Sequence, residues 1–333
     1  MKSQFLARLV EKARMAPPTI ILPESGEERI LQAARQVADM GAARPMLVGN
    51  RDKIGALAAD LNVSLEGFTV VDHTDEALLA AVKEEFLRKS DILSEKSLKR
   101  KLADPDHFAA AMVKVGRADC TASGFTCTTT EAIIAAQTMI GMQEDISVVS
   151  SVCVLEAPGF NGPEGDLLCM TDCVVFPNPD AGQLADIAIS AADTMRGLLG
   201  WEPRVAMLSF STKGGGQSEI VDKVISAVEI ANSRRPDILI DGEFQLDAAI
   251  LPDIAAKKVK TESKVAGKAN IIVFPDLNAG NIGVKLVNIF GGYPVHGALL
   301  QGLAVPTVDL SRSAPLDQIV GALIMLAAAL QNA

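Results

Sequence analysis

Short β-branched runs alternate with longer stretches of helical periodicity through most of the chain, and this alternation restricts the fold more than any other feature. Strands are predicted over residues 19–22, 45–48, 68–71, 148–155, 169–176, 204–210, 237–240, 270–274 and 305–310. Helices are predicted over 27–40, 53–61, 130–140, 182–199, 219–232, 279–290 and 316–330. Strand, helix and strand in succession make parallel sheets with helices on both faces, the α/β class. At roughly 100–200 residues per domain, 333 residues suggest two domains. Glycine and proline place one division near 141–146 and a second crossover around 291–294, after which the C-terminal helix rejoins the first domain.

Composition removes several function classes. With 41 acidic against 31 basic side chains the net charge is -10, which opposes the phosphate contacts that non-specific nucleic-acid binding needs. Aromatic residues number 11 Phe, one Trp and one Tyr, little material for stacking single-stranded bases. Three histidines are too few for a histidine-rich metal centre, and no metal site is expected. The five cysteines (Cys120, Cys127, Cys153, Cys169, Cys173) sit among Val, Ala, Thr and Met, as reduced thiols do, and not as a disulfide framework. Residues 1–14 are amphipathic and contain Glu11, so they lack the apolar core of a signal peptide. The longest apolar run, 319–330, is shorter than the ~20 residues that span a bilayer. The expectation is a cytoplasmic protein without a membrane partner.

Four polar, glycine-containing segments follow predicted strands directly: Ser211–Ser218, Asp241–Glu243, Pro275–Gly283 and Asp309–Arg312. Ligands of open α/β sheets bind beyond the carboxyl ends of the strands, so these segments mark the candidate site. Ser211, Thr212, Lys213, Gly214 and Gly215 lead into a helix, where amides and the helix dipole favour an anion such as phosphate. The lysine precedes the glycines, unlike a Walker A motif, and no GxGxxG fingerprint occurs, which disfavours a dehydrogenase. Arg312 has the fork geometry for a phosphate, and Ser311 can donate to a carbonyl or phosphoryl oxygen. No GxSxG elbow makes Ser311 a hydrolase nucleophile. Asp241, Glu243 and Asp276 stand at strand ends, where capping the following helix is the commonest role. Asp180 and Gln183 have the spacing of a capping box ahead of the 182–199 helix.

The same segments resemble the phosphate acetyltransferase (phosphotransacetylase) family. The likeness is carried by FAAAMVKVG at 108–116, NPDAGQLADI at 178–187, PRVAMLSFSTKG at 203–214 and DGEFQLDAAI at 241–250. VAGKANIIVFPDLNAGNIG at 265–283, QGL at 301–303 and DLSR at 309–312 extend it. The resemblance implies two α/β/α domains with mainly parallel sheets flanking an inter-domain cleft. The first domain would comprise 1–144 plus 298–333, and the second, 145–297, would serve dimerisation in a homodimer. It implies reversible transfer of an acetyl or other short acyl group between coenzyme A and phosphate, a step of acetate metabolism. The partners would be coenzyme A or acetyl-CoA and phosphate or acetyl phosphate, with no tightly bound cofactor. Ser311 and Arg312 would meet the acyl phosphate, Lys213, its glycines, Asn278, Asn281 and Gly283 would line the cleft, and Arg88 would bind substrate.

The chain departs from the family at several of these positions. Where the family usually reads Gly-Ala-Val-His-Thr-Thr, this chain has Gly-Phe-Thr-Cys-Thr-Thr at 124–129, and a family arginine falls on Ile134. The acid usually assigned as thiol base aligns with Gln318, leaving Asp317 beside it as the candidate base. Losing a base typically costs ~100- to 10,000-fold in rate. The departures therefore leave two functions open, an acyltransferase and a catalytically impaired homologue that binds acyl-CoA or phosphate as a sensor or scaffold.

Overall fold

The computed structural model describes residues 3–332 and divides into two compact units, one running to Gln143 and resuming at Leu303, the other spanning Glu144–Gly302. In chain order the first unit opens with α1 (Gln4–Arg14), β1 (Thr19–Leu22), α2 (Glu28–Asp39), β2 (Arg44–Val48), α3 (Arg51–Asp60) and β3 (Thr69–Val71). It continues through α4 (Glu76–Lys89), α5 (Glu95–Lys101), α6 (Pro105–Val115), β4 (Cys120–Ser123) and α7 (Thr129–Met139). The second unit holds β5 (Ser150–Glu156), β6 (Leu167–Thr171), α8 (Ala181–Leu199), β7 (Arg204–Leu208), α9 (Glu219–Arg234) and β8 (Leu239–Phe244). After α10 (Leu246–Ile250), α11 (Pro252–Lys258), β9 (Ile271–Val273), α12 (Leu277–Gly291) and β10 (Val295–Gln301), the chain returns to the first unit with β11 (Thr307–Asp309) and α13 (Leu316–Ala329).

The first unit's strands pair in the order β3-β2-β1-β4-β11, every pair parallel. Helices α1, α2 and α13 pack together, as do α4, α6 and α7, giving the sheet its two helical layers. Ile20, Ile21, Leu22 and Leu47 are fully enclosed, as the β-branched runs require for strands covered on both faces. The chain order reverses between β1 and β4, and such a switch point opens a crevice at the carboxyl ends. Glu24, the loop after β4 and the loop after β11 all start there.

The second unit's order is β10-β5-β6-β9-β7-β8, with β5 antiparallel to both neighbours and the remainder parallel. The glycine- and proline-rich stretch 157–165 connects the antiparallel β5 and β6, as its turn residues indicate. The expected capping box forms on α8: Asp180 accepts from the Gln183 amide and Gln183 from the Asp180 amide, both at 2.9 Å. The strand expected over 169–176 stops at Thr171. Asp172, buried, accepts from the amides of Val174, Val175 and Phe176, and a carboxylate that gathers three successive amides curls the chain out of the sheet. The stretch 291–294 does not cross between units; it leads into β10, whose antiparallel pairing with β5 keeps residues 295–301 in the second unit. Glu243 lies within β8 and Asp247 in the first turn of α10.

Helix α12 seats on the 172–173 backbone through Gly280, where an added Cβ would lie 2.1 Å from the Asp172 carbonyl oxygen. Gly280→Ala is expected to destabilise by about 2–3 kcal/mol through overpacking against backbone that cannot yield. Gly197→Ala on α8, where a Cβ meets nothing within 4 Å, should instead stabilise by about 0.5–1 kcal/mol. Urea denaturation of the two variants checks the opposite signs.

Candidate active site

At the carboxyl end of β1 the chain places Glu24, only 7% exposed, against the loop that follows β4. Its carboxylate accepts from the amides of Phe125 (2.8 Å) and Cys127 (3.2 Å), from the Thr126 amide, and from the Thr126 hydroxyl (2.8 Å). Burying a carboxylate is tolerable when amides replace its water, and the loop 125–127 takes its shape from those bonds. Beyond it Thr128 caps α7 in a reciprocal box with Glu131. Two further acids crowd the same edge. Burial, reinforced by the charges of Glu24 and Asp104, pushes the Asp106 carboxyl up to about 6. Burial and then Glu24 push Asp309 to about 6 as well, despite the bond it accepts from the Thr129 hydroxyl at 2.7 Å. Burial first, and then Asp106, Glu24 and Asp309, push the half-buried Cys127 thiol up to about 12, so it stays a neutral thiol.

The loop after β11 lies over this floor. Arg312 donates from Nε to the Cys127 carbonyl (3.3 Å), and the Ser311 and Ser313 hydroxyls are 3.2 Å apart. Arg29, on α2, donates to the carbonyls of Ala314 (2.6 Å) and Arg312 (3.3 Å) while its guanidinium stacks 4.5 Å from the Phe125 ring centroid. One arginine thus ties both loops together. Ser311, Arg312, Asp317 and Gln318 are exposed, and Asp317 Oδ1 accepts from the Gln318 amide at 3.0 Å in the first turn of α13. This edge presents a hydroxyl and a guanidinium to solvent, the donors an acyl phosphate needs, with the Asp317 carboxylate exposed beside them.

The chain matches a known family from residue 4 to residue 327, that of the phosphate acetyl/butaryl transferases. It is 41% identical over 312 residues to a phosphate acetyltransferase of Clostridium acetobutylicum, covering 93% of each chain. The corresponding enzyme of Acetivibrio thermocellus is 38% identical over 319 residues, with 95% of each chain covered. A solved phosphotransacetylase from Streptococcus pyogenes superposes with a TM-score of 0.90 at 34% identity, over 99% of both chains. The chain belongs to the phosphate acetyl/butaryl transferase family. It is a phosphate acyltransferase, with the mixed α/β fold expected from its sequence.

Within that family frame, the sequence-derived residues fall into three places. Ser311, Arg312 and Asp317 share the edge just described. Ser211, Thr212, Lys213, Gly214 and Gly215 lie in the second unit after β7, and there the structure differs from the expected phosphate cradle. The amides of Lys213, Gly214, Gly215 and Gly216 already bond to Glu243 O, Glu243 Oε1, Thr212 O and Ser211 Oγ. Ser211 Oγ donates to Glu243 Oε1 at 2.8 Å, and Lys213 Nζ donates to Asp241 Oδ1 and to the Gly242 carbonyl, both at 2.5 Å. The anion this loop attracts is the protein's own Glu243, 2% exposed. Nearby on α12, Asn281 donates to the Cys173 carbonyl at 3.0 Å, Gly283 faces the Phe274 ring, and Asn278 is exposed in the first turn.

Arg88 is in a third place. It ends α4 beside Lys89, which donates to the Val115 carbonyl at the far end of α6, and it pairs with Glu84 at 3.8 Å. Asp106 marks the site end of α6, so about 14 Å of helix (1.5 Å per residue) lies between that edge and the Val115 end beside which Arg88 stands. The structure does not bring Arg88 to Ser311 and Arg312. Sequence reading overlooked Glu24, Arg29 and Asp106 as site residues, and took Asp309 only as the first residue of the Asp309–Arg312 segment. Their available signal was a charged residue directly after an apolar strand or before a helical run.

Asp309 supplies a pH test. Its folded pKa lies above the ordinary carboxylate value, so the folded protein holds a proton more tightly than the unfolded chain between about pH 4 and 6. Stability therefore falls as pH rises through that window. Asp309→Asn keeps an acceptor for Thr129 and removes the buried charge. It should be more stable than the parent at pH 7.5 by up to about 2–3 kcal/mol, an advantage that shrinks below pH 6 and vanishes near pH 4. Urea midpoints across pH in metal-free buffer measure it.

Proposed function

We propose that the chain is a phosphate acetyltransferase, moving an acetyl group reversibly between coenzyme A and phosphate in the cytoplasm, as a step of acetate metabolism. The observation that carries this reading is the near-complete coverage of the two relatives above, both phosphate acetyltransferases. The charged edge supports it: acyl phosphate chemistry needs cations and donors, while coenzyme A brings its own nucleophile. In the proposed reaction the coenzyme A sulfur attacks the carbonyl carbon of acetyl phosphate, and the carbon–oxygen bond to phosphorus breaks. The thiol proton passes to Asp317 and inorganic phosphate leaves on Arg312. Ser311 donates to the carbonyl oxygen as negative charge develops there. The half-buried Cys127 and the exposed Ile134 make the neighbouring surface more apolar than the family pattern, while Phe125 is buried beneath Arg29.

A homodimer is part of the proposal. Helix α12 exposes Ile282, Leu286, Ile289 (69%) and Phe290 (83%) at spacings of four, three and one residues, an apolar helical stripe of the kind that a second subunit covers.

The enzyme reading is tested by thioester formation from coenzyme A with acetyl, propionyl and butyryl phosphate. Acetyl phosphate should turn over fastest, and Arg312→Ala should lower kcat/KM by about 100-fold or more, the scale of a lost transition-state donor. Absence of turnover with all three, despite calorimetric binding of coenzyme A, would establish a binding homologue instead. For the dimer, the double change Ile289→Asp and Phe290→Asp should shift the light-scattering mass from twice the 35.0 kDa chain to one chain. A parent already monomeric would refute it.

A further inference from the structure

Beneath the Arg312 loop lies a group of side chains that the acyl-transfer chemistry does not use. Oxygen atoms of Glu24 and Asp106 and the sulfur of Cys127 lie within 4.8 Å of one another. They belong to the loop after β1, the first turn of α6 and the loop after β4, so three separate segments converge on one point. A second observation points to a ligand there. Asp309 Oδ1 is shielded from solvent and has no hydrogen-bond partner among the described residues, and Asp309 as a whole is 7% exposed, whereas the half-buried Asp106 carboxyl meets the Cys127 thiol and the Ser123 hydroxyl. Asp309 faces the same group: its Oδ1 lies 2.2 Å from where a Cβ on Gly124 would stand, and the Cys127 thiol is hydrogen-bonded to the Gly124 backbone. A buried carboxylate oxygen without a donor, such as this one, is costly unless it carries a proton or a cation lies near it.

We propose that Glu24, Asp106 and Cys127 bind one divalent transition-metal ion of the zinc class. One thiolate with two carboxylates is a donor set that suits such ions better than magnesium or calcium, which prefer oxygen alone. Three protein ligands leave the fourth tetrahedral position to water. Binding transfers the Cys127 thiol proton to solvent and replaces it with a metal–sulfur bond, with no change of oxidation state. The ion would clamp the 125–127 loop to α6 and so hold the Cys127 carbonyl that receives Arg312. Its role is structural support of the phosphate-binding loop.

The test uses full-length protein freed of metal by chelator dialysis and titrated with Co²⁺. The expected result is one equivalent bound, with a thiolate-to-cobalt charge-transfer band that Zn²⁺ abolishes by competition. Zn²⁺ should also raise the Tm of the parent. Cys127→Ser, with circular dichroism matching the parent, should lose both the band and the Tm rise, and Asp106→Asn should weaken Co²⁺ binding at least 10-fold. No band at stoichiometric Co²⁺, or a band that persists in Cys127→Ser and so belongs to another cysteine, overturns the proposal. A parent Tm that Zn²⁺ leaves unmoved overturns it too, and leaves protonation of Asp309 as the way its buried oxygen is accommodated.

Discussion

The bonds from the 125–127 loop to the buried Glu24 carboxylate organise the first unit's site. Glu24 stands one residue beyond the proline that follows β1, and it draws three successive amides and one hydroxyl towards itself. Hydrogen bonds to a charged group contribute about 1.5–3 kcal/mol each, and without the carboxylate these amides would stay buried and unpaired. The bonds fix where the Cys127 carbonyl points, which sets the seat of Arg312. They also place the Phe125 ring under Arg29, whose guanidinium holds the carbonyls on either side of Ser313. The exposed reactive groups are thus mounted on a buried electrostatic frame.

The second unit uses the same device. Asp172 gathers the amides beyond β6, and Glu243 takes the loop after β7, where Lys213 sits at φ 47° and turns its ammonium to Asp241. In both units a carboxylate of the chain satisfies the backbone donors that a phosphate would otherwise find. A loop at the start of a helix does attract an anion, but composition cannot say whether that anion is a substrate or a neighbouring strand's side chain. With 41 acidic residues in the chain, an internal carboxylate was available to do it.

How much was legible follows from the range of each interaction. The α8 capping box was readable because Asp180 and Gln183 are three residues apart and need nothing else. The parallel strands were readable because apolar runs covered on both faces leave their mark in composition, as 19–22 and 45–48 do. Strand β10 and the end of β6 were not: the first depends on antiparallel pairing with β5, the second on Asp172. Ser311 and Arg312 were found through their position after a strand and their family likeness. Arg88 was matched by likeness alone, and its place at the far end of a helix shows how little a loosely aligned neighbourhood constrains geometry.

By itself the sequence determined an α/β chain with mainly parallel strands, an acyltransferase family, and a serine–arginine pair at the end of the last strand. These are properties of local periodicity and of contiguous motifs. Only the tertiary structure decided that the Lys213 loop is closed from within, and that Glu24, Asp106, Cys127 and Asp309 share one buried edge. The physical reason is that a buried charge is governed by whichever partners the fold brings to it. Here those partners come from positions as far apart as 24 and 309, a separation over which no sequence periodicity operates.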